Sequence, residues 1–173
     1  MSLGLECRCD AARLQSASSV KLEPDCVNPF SLREACSPNI AAKLEGAELS
    51  AEQIAEQHLK TAQAQPTVSL LYEGAGGWFT PINANQTLAD VALPLKLPVV
   101  LVVGVKLGCL NHALLSEQAI AASDNRLLGW VASEPAPAQW FDEQVQTLNA
   151  HLSSPCLGVV RHGSKGDLDW PLG

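Results

Sequence analysis

The sequence predicts an α/β fold in which a mostly parallel sheet is flanked by helices, and three observations predict it. From Thr67 to Val160, β-rich apolar runs alternate with segments of helical pattern, the order that parallel strand–helix–strand units produce. The run Pro98 to Gly104 holds Val99-Val100-Leu101-Val102-Val103 without polar alternation, as expected of a strand covered on both faces. Ser50 is followed three residues on by Gln53, the capping-box spacing that opens a helix.

The elements follow in order. Asp10 to Ser18 suits a short helix with Ala11, Leu14 and Ala17 on one face. Pro24, Asn28, Pro29, Ser37 and Pro38 mark a loop. Ile40 to Leu44 is weakly helical and Gly46 stops it. After Ser50, the residues Ile54, His58 and Ala62 continue one helix face. Val68 to Tyr72 reads as a short strand that runs into Glu73-Gly74-Ala75-Gly76-Gly77. Thr87 to Leu95 starts a helix that Pro94 breaks. Pro98 to Gly104 is the strongest strand; Asn111 to Ser123 is helical, Arg126 to Ala132 a strand, Gln139 to Leu152 a helix and Cys156 to Val160 a last strand. The tail from Arg161 to Gly173 is polar and is expected to be loose.

Composition narrows the classes. With 173 residues, one domain is the expected count. Only 5% of residues are aromatic against 47% hydrophobic, so the core must be built from Leu, Val, Ile and Ala. The net charge of -7 and the absence of Lys/Arg clusters argue against nucleic acid as a partner. Leu97 to Val105, bracketed by Lys96 and Lys106, is too short to span a bilayer. Met1 to Cys9 has no apolar run of signal-peptide length, so the sequence predicts a cytoplasmic protein without a membrane partner. The six cysteines are irregularly spaced, and Cys7 and Cys9 have no second pair to complete a zinc site. Ordinary reduced thiols are expected.

Ligands of open parallel sheets sit beyond the C-terminal ends of strands. That rule points to Glu73–Gly77, Gly104–Asn111 and Ala132–Pro135. A carboxylate such as Glu73 can bind Mg²⁺ directly or through water, and glycines after it let backbone amides approach phosphate. The same five residues also suit a plain glycine-rich turn. Asp10 and Asn111 are each suited to cap a helix N-terminus. His112 is expected to fill space beside that second cap. Trp78 and Trp130 read as packing residues, and His58, His151 and His162 lack ligand-spaced partners.

Several longer motifs carry a resemblance. They are Glu73-Gly74-Ala75-Gly76-Gly77-Trp78-Phe79-Thr80-Pro81, Thr87-Leu88-Ala89-Asp90, Leu97 to Gly104, and Val105-Lys106-Leu107-Gly108-Cys109-Leu110-Asn111-His112-Ala113-Leu114-Leu115. Val27-Asn28-Pro29-Phe30, Ser37-Pro38, Leu128-Gly129-Trp130-Val131-Ala132 and Asp10-Ala11-Ala12-Arg13-Leu14-Gln15 add to them. Together they resemble the dethiobiotin synthetase family over roughly Asp10 to Gly158, and most specifically from Glu73 to Leu115. The resemblance implies a P-loop NTPase-like fold and a homodimer. It also implies an ATP- and Mg²⁺-dependent reaction of 7,8-diaminopelargonic acid with CO₂. The carbamate is phosphorylated and the second amine closes a ureido ring. It makes Asp10 and Glu73 Mg²⁺ ligands and places Gly74, Ala75 and Gly76 beside the nucleotide and carbamate. Ser133 stands in the adenine-side position, and Leu107, Gly108 and Asn111 face the diamine acid at the subunit interface.

The sequence also departs from that family. The family opens with a strand, a glycine-rich loop ending Gly-Lys-Thr, a helix and a strand leading to a catalytic Lys-Pro; these 173 residues carry none of them, so no catalytic lysine is assigned. Gly163-Ser164-Lys165 lacks the preceding glycine of a phosphate loop. The family's Asn is Ser133 here, and its Ile-Pro is Val160-Arg161. Residues 1–9 match nothing, residues 10–160 form the expected family domain, and 161–173 are tail. The expectation is an N-terminally truncated synthetase with exposed strand edges, impaired alone. The other reading is a non-catalytic dimerisation or binding module derived from the enzyme.

Overall fold

The computed structural model describes residues 4–164 and 166–168. They fall into two compact units, Met1–Leu95 and Lys96–Gly173.

The first unit is helical. Its elements are α1 (Gly4–Ala17), α2 (Pro24–Val27), α3 (Pro38–Glu45), α4 (Ala51–Ala64) and α5 (Leu88–Leu95). The Lys21 ammonium donates to the carbonyls of Gln15, Ser16 and Ser18 and so caps the C-terminal end of α1. α3 starts on Pro38 and ends at Gly46, whose φ of 66° is left-handed. α4 has the reciprocal capping box foreseen from its sequence: Ser50 Oγ accepts from the Gln53 amide at 3.2 Å, and Gln53 Oε1 accepts from the Ser50 amide at 3.1 Å. Ala51, Ile82 and Val91 form a small core, with Ile54, Leu88 and Leu95 against it. Gln86 Oε1 accepts from both the Ala51 amide and Asn83 Nδ2, and Asn83 Nδ2 also donates to the Leu49 carbonyl. Those bonds fix the turn before α5 onto the start of α4.

The second unit is the α/β layer. It runs β1 (Val99–Gly104), α6 (Cys109–Ala121), β2 (Leu127–Ser133), α7 (Phe141–His151), β3 (Cys156–Val160) and β4 (Asp167–Leu168). The sheet order is β1-β2-β3-β4. The first three strands are parallel, and β4 is antiparallel to β3. α6 and α7 supply Cys109, Ala113, Phe141, Val145 and Leu148 to a core that also holds Val103, Trp130 and Ala132 from the sheet. Trp130 is fully buried there, which matches its expected packing role. At Gly129 the chain runs so close to the turn before β3 that a Cβ would lie 2.5 Å from the Pro155 carbonyl oxygen.

Glu117 on α6 is buried and holds that same turn. Its carboxylate accepts from the amides of Ser153 at 3.0 Å and Ser154 at 2.8 Å, and from Ser154 Oγ at 2.6 Å. Burial pushes this carboxyl up, but the hydroxyl and the two amides together hold it below its ordinary value. A depressed carboxyl contributes stability that is present above its unfolded-state pKa and lost as pH falls through the folded one. Glu117→Ala should cost about 1–3 kcal/mol at pH 7, since it removes the acceptor of two part-buried amides and of the Ser154 hydroxyl. The gap from the parent protein should close in acid. Urea unfolding of both proteins at neutral pH and below pH 4 checks this.

The structure corrects several sequence expectations. Val68–Tyr72 forms no strand; it has no regular secondary structure, bends at Val68, and leaves Leu71 exposed. A β-rich run becomes a strand only where a neighbour accepts its ladder. Among the described residues it has none. β1 is an edge strand and Val102 is 63% exposed, so its apolar run is not covered on both faces. Asp10 lies inside α1, and Asn111 is the third residue of α6, whose N-cap is Gly108; neither is a cap. His112 points outward and fills no space. Pro94 lies inside α5 rather than ending it, although the helix stops one residue later, at Leu95. The tail is not all loose, since Asp167–Leu168 pairs with β3. Lys165 and the side chains of Cys7 and Cys9 lie outside the described residues.

Candidate functional site

The loop after Tyr72 is anchored on both sides. The Tyr72 ring stacks on His58 with centroids 4.0 Å apart, and its hydroxyl donates to the His58 carbonyl at 3.2 Å. Burial lowers the His58 pKa and raises that of Tyr72, so both are neutral near pH 7. On the far side, Thr80 Oγ1 accepts from the Gly77 amide at 2.6 Å, and the Thr80 amide donates to the Gly77 carbonyl. Gly76 has a φ of 94°, and a Cβ there would stand 2.4 Å from Thr80 Oγ1. Only glycine fits that tight turn.

Between the anchors, the amides of Gly74, Ala75 and Gly76 make no hydrogen bond to the described residues. Successive free amides in a turn suit phosphate oxygens. The Gly77 amide is already used by Thr80. Glu73 is exposed beside them. Asp10 sits on α1 in an exposed ion pair with Arg13 at 3.6 Å. Among the described residues, no group of three or more His, Cys, Asp or Glu could hold a metal. A Mg²⁺ ion at Glu73 would therefore take most of its ligands from phosphate and water, as Mg²⁺ commonly does. The loop fits the phosphate end of a nucleotide, and the protein donors fit a metal only together with that nucleotide.

The remaining candidate residues share one edge of the sheet. Gly104 pairs with Ser133, Ser133 pairs with Val160, and the Val105 amide donates to the Ser133 carbonyl at 2.8 Å. Ser133, the last residue of β2, and the segment Leu107–Asn111 that leads into α6 thus both lie at the C-terminal end of the β1–β2 pair. Leu107 is wholly exposed, Gly108 has a φ of 92°, and Asn111 is exposed in the first turn of α6. Asp10 and Glu73–Gly76 belong to the first unit and Leu107–Ser133 to the second.

Within the Ala132–Pro135 stretch to which the strand-end rule points, one residue was not singled out. Glu134 Oε1 accepts from the Ala138 amide and Oε2 from the His162 amide, both at 3.1 Å. The Glu134 amide donates to the Val160 carbonyl. His162 Nδ1 lies 3.0 Å from the Pro135 carbonyl. The two amides, with Arg161 and His162 nearby, hold Glu134 below its ordinary pKa. Its only sequence signal is a carboxylate directly after a strand.

Comparison with known proteins gives a consistent result. The family model described as an AAA domain matches residues 3–166. The chain is 43% identical over 153 residues to the ATP-dependent dethiobiotin synthetase of Marinobacter nauticus, covering 87% of this chain and 65% of that one. It is 44% identical over 153 residues to the enzyme of that name from Pseudescherichia vulneris, covering 87% and 62%. Against that of Cellvibrio japonicus it is 42% identical over 161 residues, covering 92% and 70%. The chain thus spans somewhat under two thirds of the length of several relatives it matches. The parallel sheet flanked by helices is the P-loop NTPase-like architecture of that model. No helix among the described residues is long and apolar enough to cross a membrane. The chain belongs to the family of the ATP-dependent dethiobiotin synthetases.

Proposed function

We propose that this chain serves the ATP- and Mg²⁺-dependent carboxylation and ring closure of 7,8-diaminopelargonic acid to dethiobiotin. The observation that carries the reading is the anchored Glu73–Gly77 turn with its three free amides. Gly74, Ala75 and Gly76 would receive phosphate oxygens, and Glu73, with Asp10, would hold Mg²⁺ against them. Ser133 would sit at the base. Leu107, Gly108 and Asn111 would meet the diamine acid at a homodimer interface. When bound, ATP supplies the phosphoryl group that activates the carbamate. The residues named would bind and orient; none of them carries the positive charge that phosphoryl transfer requires.

The test is a titration of ¹⁵N-labelled protein with Mg·ATP. The Gly74, Ala75 and Gly76 amide signals should shift, and Gly76→Ala should abolish the shifts, because its Cβ would collide with Thr80. Unmoved loop signals at millimolar nucleotide would contradict the reading.

A second reading, a non-catalytic dimerisation module, is favoured by the exposure of Leu107 and of Leu115, which is 55% exposed on α6. Size-exclusion chromatography after co-expression with an intact synthetase separates the two readings. Co-elution supports the module, and separate elution removes it.

A further inference from the structure

The Glu73–Gly77 turn is held on its upstream side by a titratable ring that the proposed chemistry leaves unused. His58 of α4 stacks on Tyr72, with centroids 4.0 Å apart and planes 27° apart. The Tyr72 hydroxyl donates back to the His58 carbonyl at 3.2 Å, so one residue of α4 holds both the face and the tip of the tyrosine. Tyr72 is bonded directly to Glu73. Downstream, the Thr80 bonds to Gly77 close the turn.

His58 Nδ1 is buried and has no hydrogen-bond partner among the described residues. A neutral ring protonated at Nε2 leaves only a lone pair there. The imidazolium carries a proton on both nitrogens, and the one on Nδ1 would be a buried donor without an acceptor. Stacking a cation on an aromatic face is favourable, but by less than burying a charge with an unmatched donor is unfavourable. No neighbouring charge offsets that. Glu56 and Lys60 on α4 pair with each other at 2.8 Å, and Glu52 accepts from Gln86. Asp90, on the helix α5 that packs against α4, accepts from the Thr87 amide and hydroxyl. Glu73, beyond Tyr72, is exposed. Burial alone lowers the His58 pKa.

We propose that His58 is a positioning residue for the Glu73–Gly77 turn: the neutral ring holds Tyr72 and so sets the turn, and protonation of the ring releases it. The consequence for nucleotide rests on the reading of that turn as the phosphate-facing segment; the hold on Tyr72 does not. The closed stack excludes the proton and the open one accepts it. The closed form is therefore fully favoured above the ordinary imidazole value of about 6.5, and each pH unit below it raises the opening constant by up to about tenfold.

The experiment follows amide spectra of the ¹⁵N-labelled 173-residue chain, without nucleotide, from about pH 7.5 to about pH 5.5. The comparison is His58→Phe, which keeps a stacking ring and cannot be protonated. In the parent, the Tyr72, Glu73 and Gly74 signals should move with the same midpoint as the His58 ring, while the Ser50 and Gln53 amides at the start of α4 stay in place. In His58→Phe the three loop signals should keep their neutral-pH positions throughout. If that variant gives no dispersed spectrum, His58→Gln, which also cannot titrate, decides by the same loss of pH dependence. Two results overturn the inference: a His58 titration that leaves the loop signals in place, or loop signals in the non-titrating variant that follow pH as the parent's do. Mg·ATP, added at both ends of the range, separates the two claims. Affinity lost at the acid end in the parent but not in His58→Phe supports both. Loop signals that follow His58 but ignore Mg·ATP remove the nucleotide reading and leave the positioning role standing. Mg·ATP binding to a loop that ignores His58 does the reverse.

Discussion

Supplied with ATP, Mg²⁺, bicarbonate and the diamine acid, these 173 residues alone should form dethiobiotin at least about 10³-fold more slowly than an intact relative. Phosphoryl transfer has little covalent chemistry for a protein to perform, so nearly all of its acceleration comes from positioning and charge stabilisation. Losing one aimed donor at a comparable site costs about 10²–10³ in rate. The sequence holds no Gly-Lys-Thr loop and no Lys-Pro, so a lysine, a metal-binding hydroxyl and a second lysine are absent together. Near the candidate loop, Glu73 adds negative charge that repels a triphosphate until Mg²⁺ intervenes. Release of ADP and dethiobiotin, followed side by side, measures the rate. Turnover near that of an intact synthetase would mean that phosphate is held by groups not identified above.

Trp130→Ala should be the most damaging single substitution in the sheet, at about 3–5 kcal/mol. Trp130 is fully buried at the centre of the β2 strand, among Cys109, Ala113, Phe141, Val145 and Leu148. Those neighbours sit on two helices and cannot all close on the void. Trp130→Phe should cost much less. The indole Nε1–H has no hydrogen-bond partner among the described residues, so removing it relieves a buried unsatisfied donor while keeping most of the ring's volume. Urea midpoints for the two variants check both the size and the order of these effects. Equal losses would show that the indole N–H has a role that the packing does not reveal.

The fold was legible where local and tertiary signals agree. β1, β2, β3 and α7 begin and end within two residues of expectation, because apolar runs and helical periodicity are local signals in the sequence. The Ser50–Gln53 box gave the start of α4 because capping depends only on residues three apart. Val68–Tyr72 failed for the opposite reason. Its composition is that of a strand, but strand formation is set by a pairing partner elsewhere in the chain. α2 was hidden because four residues starting at Pro24 leave no periodicity to read. Around the candidate site, the motif singled out Glu73–Gly76, whereas the Glu134 bonds to the Ala138 and His162 amides could not be read. The bond to the His162 amide joins residues 28 positions apart, and nothing in the sequence announces that pairing. The Gly76 constraint was likewise invisible until Thr80 was seen folded back upon it.

The most direct test of whether the Glu73–Gly77 turn in these 173 residues takes a nucleotide, and takes it only weakly, is calorimetric titration with Mg·ATP. Parental protein and Glu73→Gln should be compared, each with and without Mg²⁺. The expected dissociation constant is on the order of 1 mM, and binding should weaken further when either Glu73 or Mg²⁺ is removed. Micromolar affinity that survives both Glu73→Gln and removal of Mg²⁺ would contradict it.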